Sequence, residues 1–174
     1  QYIGELCRYL LNTPENPHER EHNLRIAIGN GLRPEIWARF QDRFKIPRIM
    51  EFYGATEGNV GMINYDGKVG AIGRVPWYMR NIQKIRLVRY DVDKGAVMRD
   101  AKGFCTETAN GEVGEAIGKI DPNDPRFRFD GYTKSEDTEK KILRDAFKKG
   151  DAWFRTGDLM RRDQHGYFYF VDRT

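Results

Sequence analysis

The chain is poor in the residues that build cross-links and metal cages. Its 174 residues include only two cysteines, Cys7 and Cys105, far apart and with no CxxC pair, and only three histidines. Neither a disulfide framework nor a zinc site is expected, and two reduced thiols facing the cytosol are the simpler state. His18 and His22 stand four apart, but prolines flank them and no Cys or acid completes a ligand set, so they read as solvated. Long apolar runs are missing too. None approaches the roughly 18 to 20 residues that a membrane-spanning helix needs, and no N-terminal signal pattern is present. Nor does one charge sign dominate: 30 basic against 26 acidic residues leave +4, well interspersed. Arg161 and Arg162 sit near Tyr167 and Phe168, but no recognised RNA- or DNA-binding motif accompanies them, and a nucleic-acid partner is not expected.

What is present is enough chain for one sizeable core. It opens within an apolar helical pattern, without Met, and stops one step after an apolar run, so it reads as a piece of a longer protein. Tyr2, Ile3, Leu6, Cys7, Leu10 and Leu11 recur at helical spacing and predict a core-facing helix that the following proline-rich stretch ends. After a polar loop, residues 24–28 predict a short strand running into Gly29, Asn30 and Gly31. Open α/β sheets place ligands at such strand ends, although a plain turn uses the same residues. Pro34 suits the first position of a helix whose buried stripe is Ile36, Trp37, Phe40 and Phe44. That helix returns the chain to an apolar strand at Ile49, the pattern of a parallel pair with a right-handed crossover.

Beyond Asn59 the character changes to short strands punctuated by glycine, including residues 70–74, 82–92 and 111–118. Their regular spacing predicts a small barrel or curled sheet. The expected organisation is therefore α/β over residues 1–76 and a β-rich subdomain over 77–174. Within the second part, Thr133 and Glu136 have capping-box spacing at the start of a predicted helix with Ile142, Leu143, Ala146 and Phe147 on its apolar face. Lys140, Lys141, Lys148 and Lys149 read as its solvated side, with contact to an anionic membrane surface as the alternative.

Two stretches carry chemistry. Residues 49–59, IMEFYGATEGN, read as a buried strand delivering a polar turn. Tyr53 offers a flat ring, Gly54 and Gly58 allow close backbone approach, Thr56 can donate to a phosphate oxygen, and Glu57 is a carboxylate of the type that holds magnesium. A glycine-rich turn with a solvated Glu remains an equal reading of the pentapeptide GATEG, residues 54–58, alone. Residues 153–159, WFRTGDL, read as a strand ending in a tight turn that presents the Asp158 carboxylate, an acceptor suited to a ribose diol. Alone, a TGD tripeptide is common.

Together and in this order, the two stretches resemble the motifs of the adenylate-forming superfamily, which includes acyl-CoA synthetases, luciferases and peptide-synthetase adenylation domains. EFYGATEGN and the upstream YIGELCRYLL are most similar to the very-long-chain acyl-CoA synthetases, also called fatty-acid transport proteins. The resemblance covers essentially the whole chain. It implies part of the large N-terminal domain of such an enzyme, ending at the hinge to a small C-terminal domain outside these residues. It further implies that Gly29, Asn30, Gly31 and Tyr53 frame adenine, and that Gly54 and Ala55 belong to the same nucleotide loop. Thr56 would meet the α-phosphate, Glu57 would hold magnesium, Asp158 would bind the ribose and Arg173 the ribose and phosphate.

The implied reaction joins a long-chain fatty acid to coenzyme A through an acyl-adenylate made from ATP, with peripheral or anchored membrane association and lipid uptake as further family traits. An adenylating ligase for a different carboxylic acid, and a lipid-uptake protein without turnover, are the alternatives. These 174 residues hold neither a Ser/Thr/Gly-rich phosphate loop with its Lys nor the adenylation Lys of the small domain, so no turnover is expected of them alone.

Overall fold

The computed structural model describes residues 1–55 and 60–174. The chain divides into two compact units, residues 1–53 with 62–74, and residues 54–61 with 75–174.

In the first unit the elements are β1 (Tyr2–Ile3), α1 (Gly4–Asn12), β2 (Ala27–Asn30), α2 (Pro34–Arg43), β3 (Ile49–Gly54), β4 (Gly61–Asn64) and β5 (Gly73–Arg74). The sheet order is β1-β2-β3-β4, with β1 parallel to β2 and β2 parallel to β3. Pro34 opens α2, where its missing N–H is no loss. Trp37 and Phe40 are buried, and Ile36 and Phe44 pack against the same core with Cys7, Ile46 and Ile49.

Two expectations need correction here. Tyr2 and Ile3 are not helical: they pair with Gly29 and Asn30, and the Tyr2 hydroxyl donates to the Glu51 carboxylate, which requires an extended backbone at this point. Helix α1 meets the core through Cys7 and Leu11, one turn apart, so Leu6 and Leu10 point elsewhere and are exposed. The strand expected at residues 24–28 instead covers Ala27–Asn30, because its parallel register is set by β3, Ala27 opposite Ile49.

The second unit contains α3 (Arg80–Gln83), β6 (Ile85–Asp91), β7 (Ala96–Val97), β8 (Val113–Lys119), α4 (Ser135–Lys140), β9 (Ile142–Arg144), β10 (Ala152–Arg162) and β11 (Tyr167–Arg173). Its strands run in the order β11-β10-β8-β6-β7, every neighbouring pair antiparallel, while β9 pairs with the start of β10. Val88, Cys105, Ile117, Leu143, Ala146 and Trp153 form its core. The chain as a whole is mixed α/β, as the sequence predicts.

The helix expected from Thr133 is much shorter than its apolar pattern suggests. Ile142 and Leu143 belong to strand β9, and Ala146 and Phe147 to a loop. The reason is Asp151, whose carboxylate accepts the N–H groups of Ala146 (2.6 Å), Phe147 (3.1 Å) and Lys148 (3.3 Å) and so folds the segment back. No side chain caps α4; the Thr138 hydroxyl takes the Tyr132 N–H instead, at 2.8 Å. Similarly, the strand expected at residues 82–92 starts only at Ile85, after α3 ends at left-handed Lys84 (φ 51°).

Candidate functional site

Strands β2 and β3 run side by side in the same direction, Gly29 opposite Glu51, so their carboxyl ends share one edge of the sheet. That edge carries Asn30, Gly31, Tyr53 and Gly54, the position at which open α/β sheets bind ligands. Gly31 has φ +77°, a conformation that a side chain would strain. The turn it makes is fixed by a residue that sequence reasoning passed over. Glu51 is 1% exposed, and its carboxylate accepts the Gly31 N–H at 2.9 Å, the Leu32 N–H at 3.1 Å and the Tyr2 hydroxyl.

Burial pushes the Glu51 carboxyl above its ordinary range, and the three donors only partly offset this. The Tyr2 phenol is pushed up by burial first and then by Glu51. Burial, followed by the nearby Glu51 charge, also raises the Cys7 thiol to about 11. Cys7 is a fully buried core residue.

Tyr53 is half-buried at the end of β3, and the Ala55 N–H donates to the Val60 carbonyl at 2.9 Å. Thr56 and Glu57, the expected phosphate and magnesium residues, lie outside the described residues. Among the described residues no group of three acids, histidines or cysteines is placed to hold a metal ion.

The second unit carries Asp158 and Arg173. Strand β10 does not end at the TGD tripeptide, as expected, but bulges there and continues. Five residues of β10, Arg155 to Leu159, stand against only three of β8, Ile117 to Glu115. The surplus residues form a bracket with Gly157 at φ +76°. It is held from inside: the Thr156 hydroxyl donates to the Ala116 carbonyl at 2.7 Å and accepts the Asp158 N–H at 3.0 Å.

Beneath it lies a second residue that sequence reasoning missed. Glu115 is fully buried, receives the Arg155 guanidinium through Nε at 3.0 Å and Nη2 at 2.7 Å, and takes the Gly157 N–H at 3.3 Å. Asp158, 5% exposed, stands directly opposite Arg173 on β11, and the two form an ion pair of 3.0 Å. These two expected ribose-side residues are thus brought together by strand register. Both missed acids had a legible signal. Each is a carboxylate set at an inward position of an otherwise apolar strand, where burial demands donors.

A scan against protein-family models finds no match. Among curated proteins, the chain is 48% identical over 173 residues to long-chain fatty acid transport protein 2 of Rattus norvegicus, covering 99% of this chain and 28% of that protein. Among solved structures, it resembles a benzoate CoA ligase from Burkholderia xenovorans LB400, with TM-score 0.64, 24% identity, and coverage of 98% of this chain and 30% of that one. It also resembles ATP-bound MatB from Rhodopseudomonas palustris, with TM-score 0.65, 22% identity, and coverage of 98% and 30%. At these identities the solved structures establish the fold, that of the adenylate-forming enzyme domain. The chain spans between a quarter and a third of the length of the curated relative, and nearly all of its own residues align. Along nearly its whole length the chain is similar to a segment of the long-chain fatty acid transport proteins, and its fold is that of the adenylate-forming enzyme domain.

Proposed function

We propose that the intact protein carrying this chain activates long-chain fatty acids. The fatty carboxylate attacks the α-phosphorus of ATP to give acyl-adenylate and pyrophosphate, and the thiol of coenzyme A then displaces AMP. The observation that carries this reading is the 48% identity to a long-chain fatty acid transport protein across nearly every residue. The CoA-ligase and ATP-bound neighbours support a shared fold for such chemistry.

In this reading the protein supplies position and charge rather than a covalent nucleophile. Asn30 and Gly31, on the turn that Glu51 fixes, border the adenine with Gly29, Tyr53, Gly54 and Ala55. Thr56 donates to the α-phosphate oxygen. Asp158 accepts the ribose hydroxyls from a bracket that is already rigid, and Arg173 serves as both its partner and a phosphate-side cation. Glu57 is the residue whose hard carboxylate oxygen suits magnesium, which when bound would neutralise phosphate charge. Taken separately, the first unit offers a backbone turn suited to a flat base and the second an almost buried carboxylate suited to a diol.

Pyrophosphate release by the intact protein, measured with fatty, aryl and amino acids, tests the proposal. Fatty acids should be preferred; preference for an amino or aryl acid would defeat the fatty-acyl assignment. The relatives' name as transport proteins favours a second reading, lipid uptake without turnover. Uptake that persists in an Asp158→Ala variant lacking ligase activity would support it.

A further inference from the structure

A cavity of about 630 Å³ in the second unit lies beside the Asp158 bracket and has no part in the assignments above. Its lining includes Tyr132 and four charged residues, Lys134, Asp137, Lys140 and Lys141. Lys140 pairs with Asp137 at 3.3 Å, which leaves the lining with an excess of positive charge. Lys141 is the link to the bracket. Its carbonyl accepts the Arg155 N–H at 2.8 Å, tying its backbone to β10 just before the bulge.

The Lys141 side chain is half-buried and turned toward the bracket: Nζ lies 3.4 Å from the Thr156 carbonyl oxygen and 6.0 Å from the centre of the Phe154 ring. Nζ would also stand 3.4 Å from a Cβ on Gly157, next to the Thr174 hydroxyl at 3.5 Å from the same point. A lysine that only solvates a surface extends into water. This one places its ammonium against the backbone that presents Asp158.

We propose that Lys141 forms a phosphate subsite at the edge of the Asp158 bracket, with Lys134 adding charge from the cavity, and that it receives a phosphate oxygen of the nucleotide whose ribose Asp158 holds. The inference rests on the proposed nucleotide site and adds a residue to it. Lysine suits the role as a compact point charge with three donors, able to follow a phosphate through changes in position.

Isothermal titration of the full chain with AMP and with adenosine tests it, in wild type, Lys141→Met, Lys141→Arg and Asp158→Ala. A hydrogen bond to a charged group corresponds to roughly a tenfold change in affinity or more. The expected result is therefore that Lys141→Met weakens AMP about tenfold, leaves adenosine unchanged, and is largely rescued by Lys141→Arg. Equal loss of AMP and adenosine in Lys141→Met, or an unchanged preference for AMP, would overturn the subsite, as would a wild-type chain that binds adenosine as tightly as AMP. Asp158→Ala reads the underlying assignment separately: it should weaken both ligands alike. Unchanged adenosine binding in that variant, with an AMP preference that still depends on Lys141, would retain the subsite and reject the ribose role of Asp158.

Discussion

Removing the Glu51 carboxylate should damage the first unit more than any surface change in it. Glu51 is 1% exposed and serves three donors, two of them backbone N–H groups that have no place in the sheet ladder. Glu51→Ala leaves the buried Leu32 N–H without its acceptor and the Tyr2 hydroxyl with only the Met50 carbonyl at 3.5 Å. Hydrogen bonds to a charged group are worth roughly 1.5 to 3 kcal/mol each. Relief of the cost of burying the charge returns part of that, so a net loss of about 3 kcal/mol is expected. Glu51→Gln keeps one carbonyl acceptor but turns an amide N–H₂ toward donors, and about 2 kcal/mol is expected. Tyr2→Phe removes one donor, with a loss of about 1 kcal/mol.

The pH dependence has a definite sign. Burial raises the Glu51 pKa from its ordinary 4.5. Between that value and the folded one, the folded state holds a proton that the unfolded state has released. The Glu51 contribution is therefore greatest below pH 4.5 and declines as pH rises through the folded pKa. Urea unfolding from pH 4 to 8, with hydrogen exchange at Gly31 and Leu32 to report this unit, measures both effects. Glu51→Ala within about 0.5 kcal/mol of wild type, or the same pH slope in wild type and Glu51→Gln, would refute the reasoning.

Asp158→Ala should weaken ATP binding by the intact protein by on the order of ten- to a hundredfold, and Asp158→Asn by less, since one acceptor oxygen survives; an unchanged ATP constant with a lowered melting point would make Asp158 a turn residue only. Glu115→Gln should cost about 3 kcal/mol in urea unfolding, because it strands the Arg155 guanidinium beside a fully buried site, and Arg155→Met made together with it should recover much of the loss. Recovery that fails would mean that Glu115 acts through the Gly157 N–H rather than the ion pair. Glu57→Gln should slow adenylation sharply at limiting magnesium and leave the melting temperature in place; a full rate there would remove Glu57 from the ion's coordination.

Much of this fold is legible in local patterns. The stripe Trp37 and Phe40 after Pro34, the parallel return to Ile49, and the run of short strands separated by glycine all follow from periodicity and turn chemistry. What misled was tertiary competition. Ile142, Leu143, Ala146 and Phe147 have helical spacing, but β10 offers a partner strand and Asp151 collects three N–H groups, and these outweigh propensity. Tyr2 leaves its helix for the same kind of reason, an acceptor 49 residues away. In the site, residue types pointed to Asp158 and Arg173, but only strand register shows them paired. Glu51 and Glu115 hold the Gly31 turn and the Gly157 bulge from inside the core, and motif reading looks at the turn rather than at what holds it.

The central claim, that a fatty carboxylate is activated as its adenylate, has a direct isotopic test. The intact protein is supplied with ATP, coenzyme A and a long-chain fatty acid carrying ¹⁸O in both carboxyl oxygens, and the released AMP is examined by mass spectrometry. Attack of the carboxylate on the α-phosphorus leaves one labelled oxygen with AMP when the thiol displaces it. One ¹⁸O in AMP for each thioester formed is the predicted result. Label in orthophosphate with ADP as the nucleotide product, or acyl-CoA formed with no label in AMP, would contradict the account.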